Sequence, residues 1–437
     1  MKFSRGMLLS LMGYGLVVTA HAQDAVTKTP VVKAIKFGKL IDGTGKVTTN
    51  AVVVIKGDRI ESVGTGDSAI PSGAQVIDMS NRTGIPGLID VHTHMTYWWD
   101  KNPRTTPNEG AANLLPQELA FLAGENARNC IDIGVTTVRD MAARNYTDIA
   151  MRNLINRGVM VGPRMFVAGP AIAAGGAVPR WGQAFPWVPP SQNQASGVEG
   201  VMTLARQEMA AGADFIKMFG SSGGFQTVET HQTFTYEEMQ AAVNVAHTNG
   251  KRIAIHSYGA SGARDAVKAG ADTVEHAIDI DDATFAEMNR KHIIYVPTAY
   301  HNVWYIQNYK EFKWPESENL KIQAYQDKVE ETTRRAIKAG VRIAMGSDAV
   351  FELFGHNTEE LTYLVKSGMT PAQALAAATV NGAAALGMEN DLGQVTPGHY
   401  ADIVAVDGDP LSDISVVVHN VKWVMKGGKV MVDKTAK

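Results

Sequence analysis

Five times in the middle of the chain, a helical stretch stops at a glycine and an apolar, β-prone run begins within a few residues. Gly134 precedes Val135-Thr136-Thr137-Val138, Gly212 precedes Asp214-Phe215-Ile216, and Gly250 precedes Ile253-Ala254-Ile255. Gly270 precedes Thr273-Val274, and Gly340 precedes Val341-Arg342-Ile343-Ala344. Glycine suits these positions because a helix C-terminus often turns through a left-handed residue, which a Cβ disfavours. Helix starts are equally legible: Thr235-x-x-Glu238 reads as a capping box, and Thr370-Pro371-x-Gln373 adds proline at the first helical position. Strands alternating with helices imply a parallel sheet. Eight candidate strands begin near Leu88, Val135, Arg164, Asp214, Arg252, Thr273, Ile293 and Arg342. If they close on themselves the fold class is α/β, a (β/α)8 TIM-like barrel with its active site at the strand C-terminal ends. On this alternation alone an open doubly wound sheet also fits.

The chain has 437 residues, more than the roughly 250 a barrel needs. The excess is β-rich. Short runs such as Ala51-Val52-Val53-Val54-Ile55, broken by Asp42-Gly43 and Lys56-Gly57-Asp58, lie before the barrel. Similar β-type runs follow it at Ala401 to Val406, Ser415 to Val418 and Trp423 to Met425. A small β-sandwich domain formed from both chain ends, residues 23–83 and 392–437, is therefore expected to flank a barrel over 84–391. Residues 1–22 read as an export signal: Lys2 and Arg5 supply charge, Met7 to Val18 is apolar, and Ala20-His21-Ala22 is a small-residue cleavage site. The apolar stretch is shorter than the roughly 20 residues of a spanning helix, so no stable membrane insertion is expected after cleavage. The expected location is periplasmic or secreted. Cys130 is the one cysteine, so no intrachain disulfide forms despite oxidising surroundings. A net charge of −3 offers no basic field for a polyanion, which sets nucleic acid aside as a partner. A homo-oligomer remains compatible with everything above.

The first candidate strand ends Asp90-Val91-His92-Thr93-His94. Side chains two apart on a strand point the same way, so His92 and His94 present two imidazoles from one face. An isolated His-x-His is as often two ordinary histidines as a metal site. Here His256 ends the fifth candidate strand, His276 the sixth, and Asp348 follows the eighth, so all converge on one rim. Lys217 ends the fourth strand. An ammonium facing that rim is desolvated and repelled by cations, its pKa falls, and the neutral amine can add carbon dioxide to give a bidentate carbamate.

These motifs resemble the amidohydrolase superfamily, in particular its exported branch related to imidazolonepropionases and prolidase-like Xaa-Pro dipeptidases. The matching residues are Pro86 to His94, Lys217, His256, Glu275-His276, Gly346-Ser347-Asp348, and the tail Gly393-x-x-x-x-Gly398-x-x-Ala401-Asp402-Ile403-Val404. The resemblance runs from about Val32 onward. It implies two divalent metal ions, His92 and His94 holding one with Lys217 and Asp348, and His256 and His276 holding the second with carboxylated Lys217 bridging. Zinc suits these donors best; manganese, iron or cobalt fit them too. It further implies that a hydroxide bridging the metals attacks an amide or peptide C–N bond, with Asp348 as general base and then general acid. The substrate would be a small molecule of the dipeptide or N-acyl amino acid type.

One departure bears on substrate: relatives usually carry a second histidine two residues after the strand-five ligand, where this chain has Tyr258. Tyr258 and, on an aromatic rim segment, His301 are candidate substrate-binding residues. The aromatics Tyr97-Trp98-Trp99 and Trp304-Tyr305 serve either a ring-bearing substrate or loop packing, the second more often. The stretch Ala173 to Pro190 is expected to be a long loop able to act as a lid. Two other chemistries stay in view. A mononuclear deaminase or cyclic-amidine hydrolase belongs to relatives that typically place a glutamate where Gly259 stands, and Gly259 and Lys217 both count against it, whereas a lactonase or other ester hydrolase uses the same nucleophile and is not separated by these residues.

Overall fold

The computed structural model describes residues 31–103, 105–175, 193–221 and 231–435. The export signal and residues 176–190 of the expected lid loop lie outside them.

The first 56 described residues build most of a sheet. Strands β1 (Val32–Ile41), β2 (Val47–Lys56), β3 (Arg59–Thr65) and β4 (Gln75–Pro86) are joined by tight turns, and β1 pairs antiparallel with β2 and parallel with β4. Seven barrel-region strands follow: β5 (Leu88–Thr93), β6 (Val135–Asp140), β7 (Arg164–Val167), β10 (Ile216–Phe219), β11 (Ile253–Ser257), β12 (Thr273–His276) and β13 (Ile294–Val296). Between β7 and β10 lies a two-stranded pair, β8 (Ala173–Ala174) and β9 (Gln194–Ala195). The tail returns as β14 (Ile403–Val406), β15 (Val421–Lys426) and β16 (Lys429–Asp433) and completes a seven-stranded sheet in the order β16-β15-β14-β4-β1-β2-β3.

Both chain ends thus share one sheet. It curls enough for the edge residue Arg59 of β3 to bridge Tyr400, just before β14. The concave interior encloses Phe37, Val53, Ile55, Met79, Ile403, Trp423 and Met425. Ser415 to Val418, expected as a strand, is instead part of a short helix, Ser415–His419. The Asp413 carboxylate accepts from the Ser415 amide at 2.9 Å and its hydroxyl at 2.7 Å, which starts a helical turn and overrides the β preference of three consecutive valines.

The barrel strands run parallel in the sets β5-β6-β7 and β10-β11-β12-β13. Backbone bonds join the sets into a ring. Asp214 N donates to Val167 O at 2.7 Å, which links β7 to β10. Tyr295 N donates to Arg342 O and Tyr295 O accepts from Ala344 N, and Val91 N reaches Met345 O at 2.9 Å, so the eighth segment sits between β13 and β5 as isolated bridges rather than a regular strand. The glycines preceding the strands behave as read. Gly134, Gly212, Gly250, Gly270 and Gly340 all have positive φ, and Gly212 and Gly270 end their helices in the left-handed region. Capping boxes form at Thr235 and Thr370.

Sheet and barrel meet almost without a linker. Only Gly87 separates β4 from β5, its amide donates to Asp402 O at 2.8 Å, and a Cβ there would overlap the Thr136 side chain. No helix among the described residues is long and apolar enough to cross a membrane.

Candidate active site

The C-terminal ends of β5, β10, β11 and β12 carry His92 with the adjoining His94, Lys217, His256 and His276, and all of these side chains are buried. Asp348 reaches the same place from beyond the eighth segment. Its carboxylate lies 3.2 Å from His94 Nε2, 3.6 Å from His92 Nε2 and 4.0 Å from His276 Nδ1. The His92 ring centre is 4.6 Å from that of His276, which is 4.7 Å from that of His256. Five residues spread over 257 positions therefore face one another across a few ångströms. The backbone pays for the convergence locally: His276 and Asp348 both have φ in the left-handed region, at 69° and 52°, conformations that cost a side-chain-bearing residue energy and cluster at functional sites.

The chemistry of the donors fits a cation. Donor atoms of His92, His94 and Asp348 all lie within 4.8 Å of one another. His92 Nε2, His94 Nδ1 and Lys217 Nζ are buried without a hydrogen-bond partner, and such orphaned polar atoms are costly unless something binds them. Burial holds His92, His256 and His276 well below the usual imidazole pKa, and neighbouring cationic groups push the same way, so each offers a lone pair at neutral pH. Burial likewise lowers Lys217 to about 8, although Glu275 and Asp348 oppose it. Asp348 is lowered as well, against its burial. Burial would raise it, but the His301 and His92 imidazoles around it hold it well below the carboxylate range.

A 349-residue span of the chain, 83–431, matches the Amidohydrolase family model. The chain belongs to the amidohydrolase family. It is a hydrolase of C–N bonds. The ochratoxinase of Aspergillus niger is 30% identical over 449 residues, covering 96% of this chain and 90% of its own. The imidazolonepropionase of Shouchella clausii is 24% identical over 96% of this chain and 93% of its own. Among solved structures, a Xaa-Pro dipeptidase with methionine bound in its active site is 32% identical, superposes with a TM-score of 0.84, and is covered completely by 92% of this chain. Members of this family generally use metal ions, and the His-His-Asp group is in keeping with that.

In this amidohydrolase the expected substrate residues both line the cluster of buried histidines and Asp348. The Tyr258 ring packs 4.4 Å from His256 and 5.2 Å from His276. His301 donates from Nδ1 to the Asp348 main-chain oxygen at 2.8 Å and lies 3.6 Å from its carboxylate, so it sits against the expected proton carrier. The rim aromatics divide. Tyr97 stacks on His94 at 4.3 Å, whereas Trp99 and Trp304 are sealed in a cluster with Phe312 and Phe351, which is loop packing.

Sequence reasoning missed the groups behind the histidines. Glu275, read only as part of a motif, accepts from His92 Nδ1 at 2.8 Å, from Arg139 Nη2 at 3.0 Å, and from the Thr273 hydroxyl. This fixes the His92 tautomer with Nε2 turned to the site. Asp90 accepts from the Ser347 amide and hydroxyl and from Asn357, tying the loop of Asp348 to β5. The alternation on β5 was the available signal: Asp90 shares a face with His92 and His94.

Proposed function

We propose that this amidohydrolase cleaves the amide C–N bond of a small dipeptide or N-acyl amino acid at a centre of two divalent cations, zinc foremost, held by His92, His94, His256, His276, Asp348 and a carboxylated Lys217. The observation that carries the reading is the close group of His92, His94 and Asp348 together with the buried atoms His92 Nε2, His94 Nδ1 and Lys217 Nζ, none of which has a hydrogen-bond partner. Bound cations would supply Lewis acidity, lowering the pKa of water toward neutrality and polarising the substrate carbonyl. The chain's own residues do the rest. Neutral Lys217 adds carbon dioxide at Nζ with loss of one proton, which places an anionic bidentate group among the imidazoles. Asp348, ionised at neutral pH, accepts the proton released as water attacks and returns it to the departing nitrogen. His301 orients Asp348 from its main-chain oxygen, and the Tyr258 hydroxyl reaches toward the substrate carboxylate or the developing oxyanion. The similarity to a Xaa-Pro dipeptidase, whose dipeptide substrates end in a free carboxylate, supports an amide substrate of that kind. The signal read in Met1 to Ala22 supports action outside the cytoplasm.

The test is metal content of purified protein combined with hydrolysis of Xaa-Pro dipeptides, N-acyl amino acids and lactones before and after chelation. About two metals per chain and chelator-sensitive release of an amino acid are expected. One metal or none, or ester cleavage without amide cleavage, overturns the reading. Asp348→Asn should lower kcat by about 10²–10⁴-fold, the range for loss of an acid–base group.

A further inference from the structure

The helix Ala299–Asn308 starts without the cap its sequence offers. Its N-cap is Thr298, a residue type that ordinarily accepts from the amide two or three positions on, yet the Thr298 side chain makes no capping bond. Its hydroxyl is engaged elsewhere, 2.7 Å from His276 Nδ1. The first amides of the helix are instead taken by a carboxylate from another element: Ala299 N donates to Glu360 Oε1 at 3.0 Å and Tyr300 N to Glu360 Oε2 at 2.7 Å. Glu360 is fully buried in the helix Glu359–Lys366 and sets its carboxyl group at the positive end of the Ala299 helix dipole; burial pushes that carboxyl up to about 8, against the Tyr300 and Ala299 amides that hold it down. One residue further on, His301 Nδ1 donates to the Asp348 main-chain oxygen. Thr298 and Asp348 both hold left-handed backbone at 52°, a conformation that persists only where surroundings impose it.

We propose that Glu360 is a positioning residue of the active site, whose capping of the Ala299 helix frees Thr298 to hold His276 and sets His301 against Asp348. The same first turn then orients a ligand of one cation and the proton carrier, so slack at Glu360 is transmitted to both. The proposal rests on the binuclear hydrolase reading for its consequences, while the coupling itself is a property of the helix.

The experiment uses full-length wild type, Glu360→Gln, Thr298→Val and the double variant. Zinc is titrated into chelator-stripped protein, kcat and KM are measured, and hydrogen exchange is followed in the peptide spanning 298–302. Glutamine keeps one acceptor but sets an NH2 against the second amide. Glu360→Gln is expected to speed exchange of that first turn, weaken the second zinc equivalent roughly ten-fold and lower kcat with KM little changed. Thr298→Val should reproduce the zinc loss and part of the kcat loss without faster exchange, and the double variant should be no worse than Glu360→Gln alone, because the Thr298 effect on His276 is contained in that of Glu360. Glu360→Gln that lowers only Tm, or losses that multiply in the double variant, would sink the proposal. Should Glu360→Gln not fold, wild-type zinc affinity and kcat in Thr298→Val overturn it equally. A wild type that binds no zinc defeats the binuclear reading, and exchange with kcat still decides the role of Glu360.

Discussion

At the scale of single residues, the site is defined as much by what stands behind the buried histidines as by the histidines themselves. Glu275 is buried with three donors on its two oxygens, one of them from His92. Glu275→Gln removes the charge that faces Arg139 and frees the His92 ring, so zinc affinity should fall about 10–100-fold, the usual cost of losing an outer-shell partner; competition with a chromophoric chelator reads it. Gly346 meets a different constraint. A Cβ there would stand 2.7 Å from the Cβ of His92 and would also strike Val296. Gly346→Ala should cost about 1–3 kcal/mol by overpacking and displace His92, seen as a lower Tm together with reduced zinc affinity. The distant alanine variant described next should change only the first of these.

Among elements, the strand-delivering turns carry much of the design. Gly212 closes the helix Gly197–Ala211 at φ 106°, and a Cβ there would make only ordinary contacts, at 3.7 Å and beyond. The cost of Gly212→Ala is therefore conformational, about 1 kcal/mol, and calorimetry should show a small drop in Tm with kcat and metal content unchanged. Unchanged Tm would mean the left-handed turn is not required to deliver Lys217 on β10. The Ser415–His419 helix shows the limit of local reading. Its valines favour a strand, but the Asp413 carboxylate bonds to Ser415 set a turn and Val417 finds burial on a helix, so capping and packing outweigh propensity.

For the whole molecule, buried carboxyls away from the site couple stability to pH. Burial pushes Glu208 up to about 7 and Asp148 up to about 6, against roughly 4 in an unfolded chain. At these two groups the native protein retains protons that the unfolded chain has released, so their contribution to stability falls as pH rises from about 4 toward 7. The buried His92, His256 and His276 imidazoles, held neutral, act the other way in the same window, so the test is a difference: Glu208→Gln should raise Tm relative to wild type more at pH 8 than at pH 5. A Glu208→Gln shift in Tm that is the same at pH 5 and pH 8 would show that Glu208 is paired more strongly than its burial implies. Sheet and barrel should melt together, because Gly87 alone separates β4 from β5 and Arg164 of the barrel lies 3.2 Å from Asp402 of the tail.

The linear chain by itself determined the alternation of helix and strand, because glycine at helix ends, capping boxes and apolar runs act within a few residues of their own position. It determined the donor set as well, since strand periodicity puts His92 and His94 on one face and strand ends put Lys217, His256 and His276 on one rim. Tertiary structure alone decided the rest. That Glu275 would fix a tautomer of His92, 183 residues away, or that Glu360 would cap a helix 60 residues before it, leaves no periodic trace, because such contacts depend on the approach of separate elements. The curl of the terminal sheet and the sealing of Trp99 and Trp304 into a packed cluster are of the same kind: each depends on which surfaces remain uncovered once the elements have docked, a quantity no single segment carries.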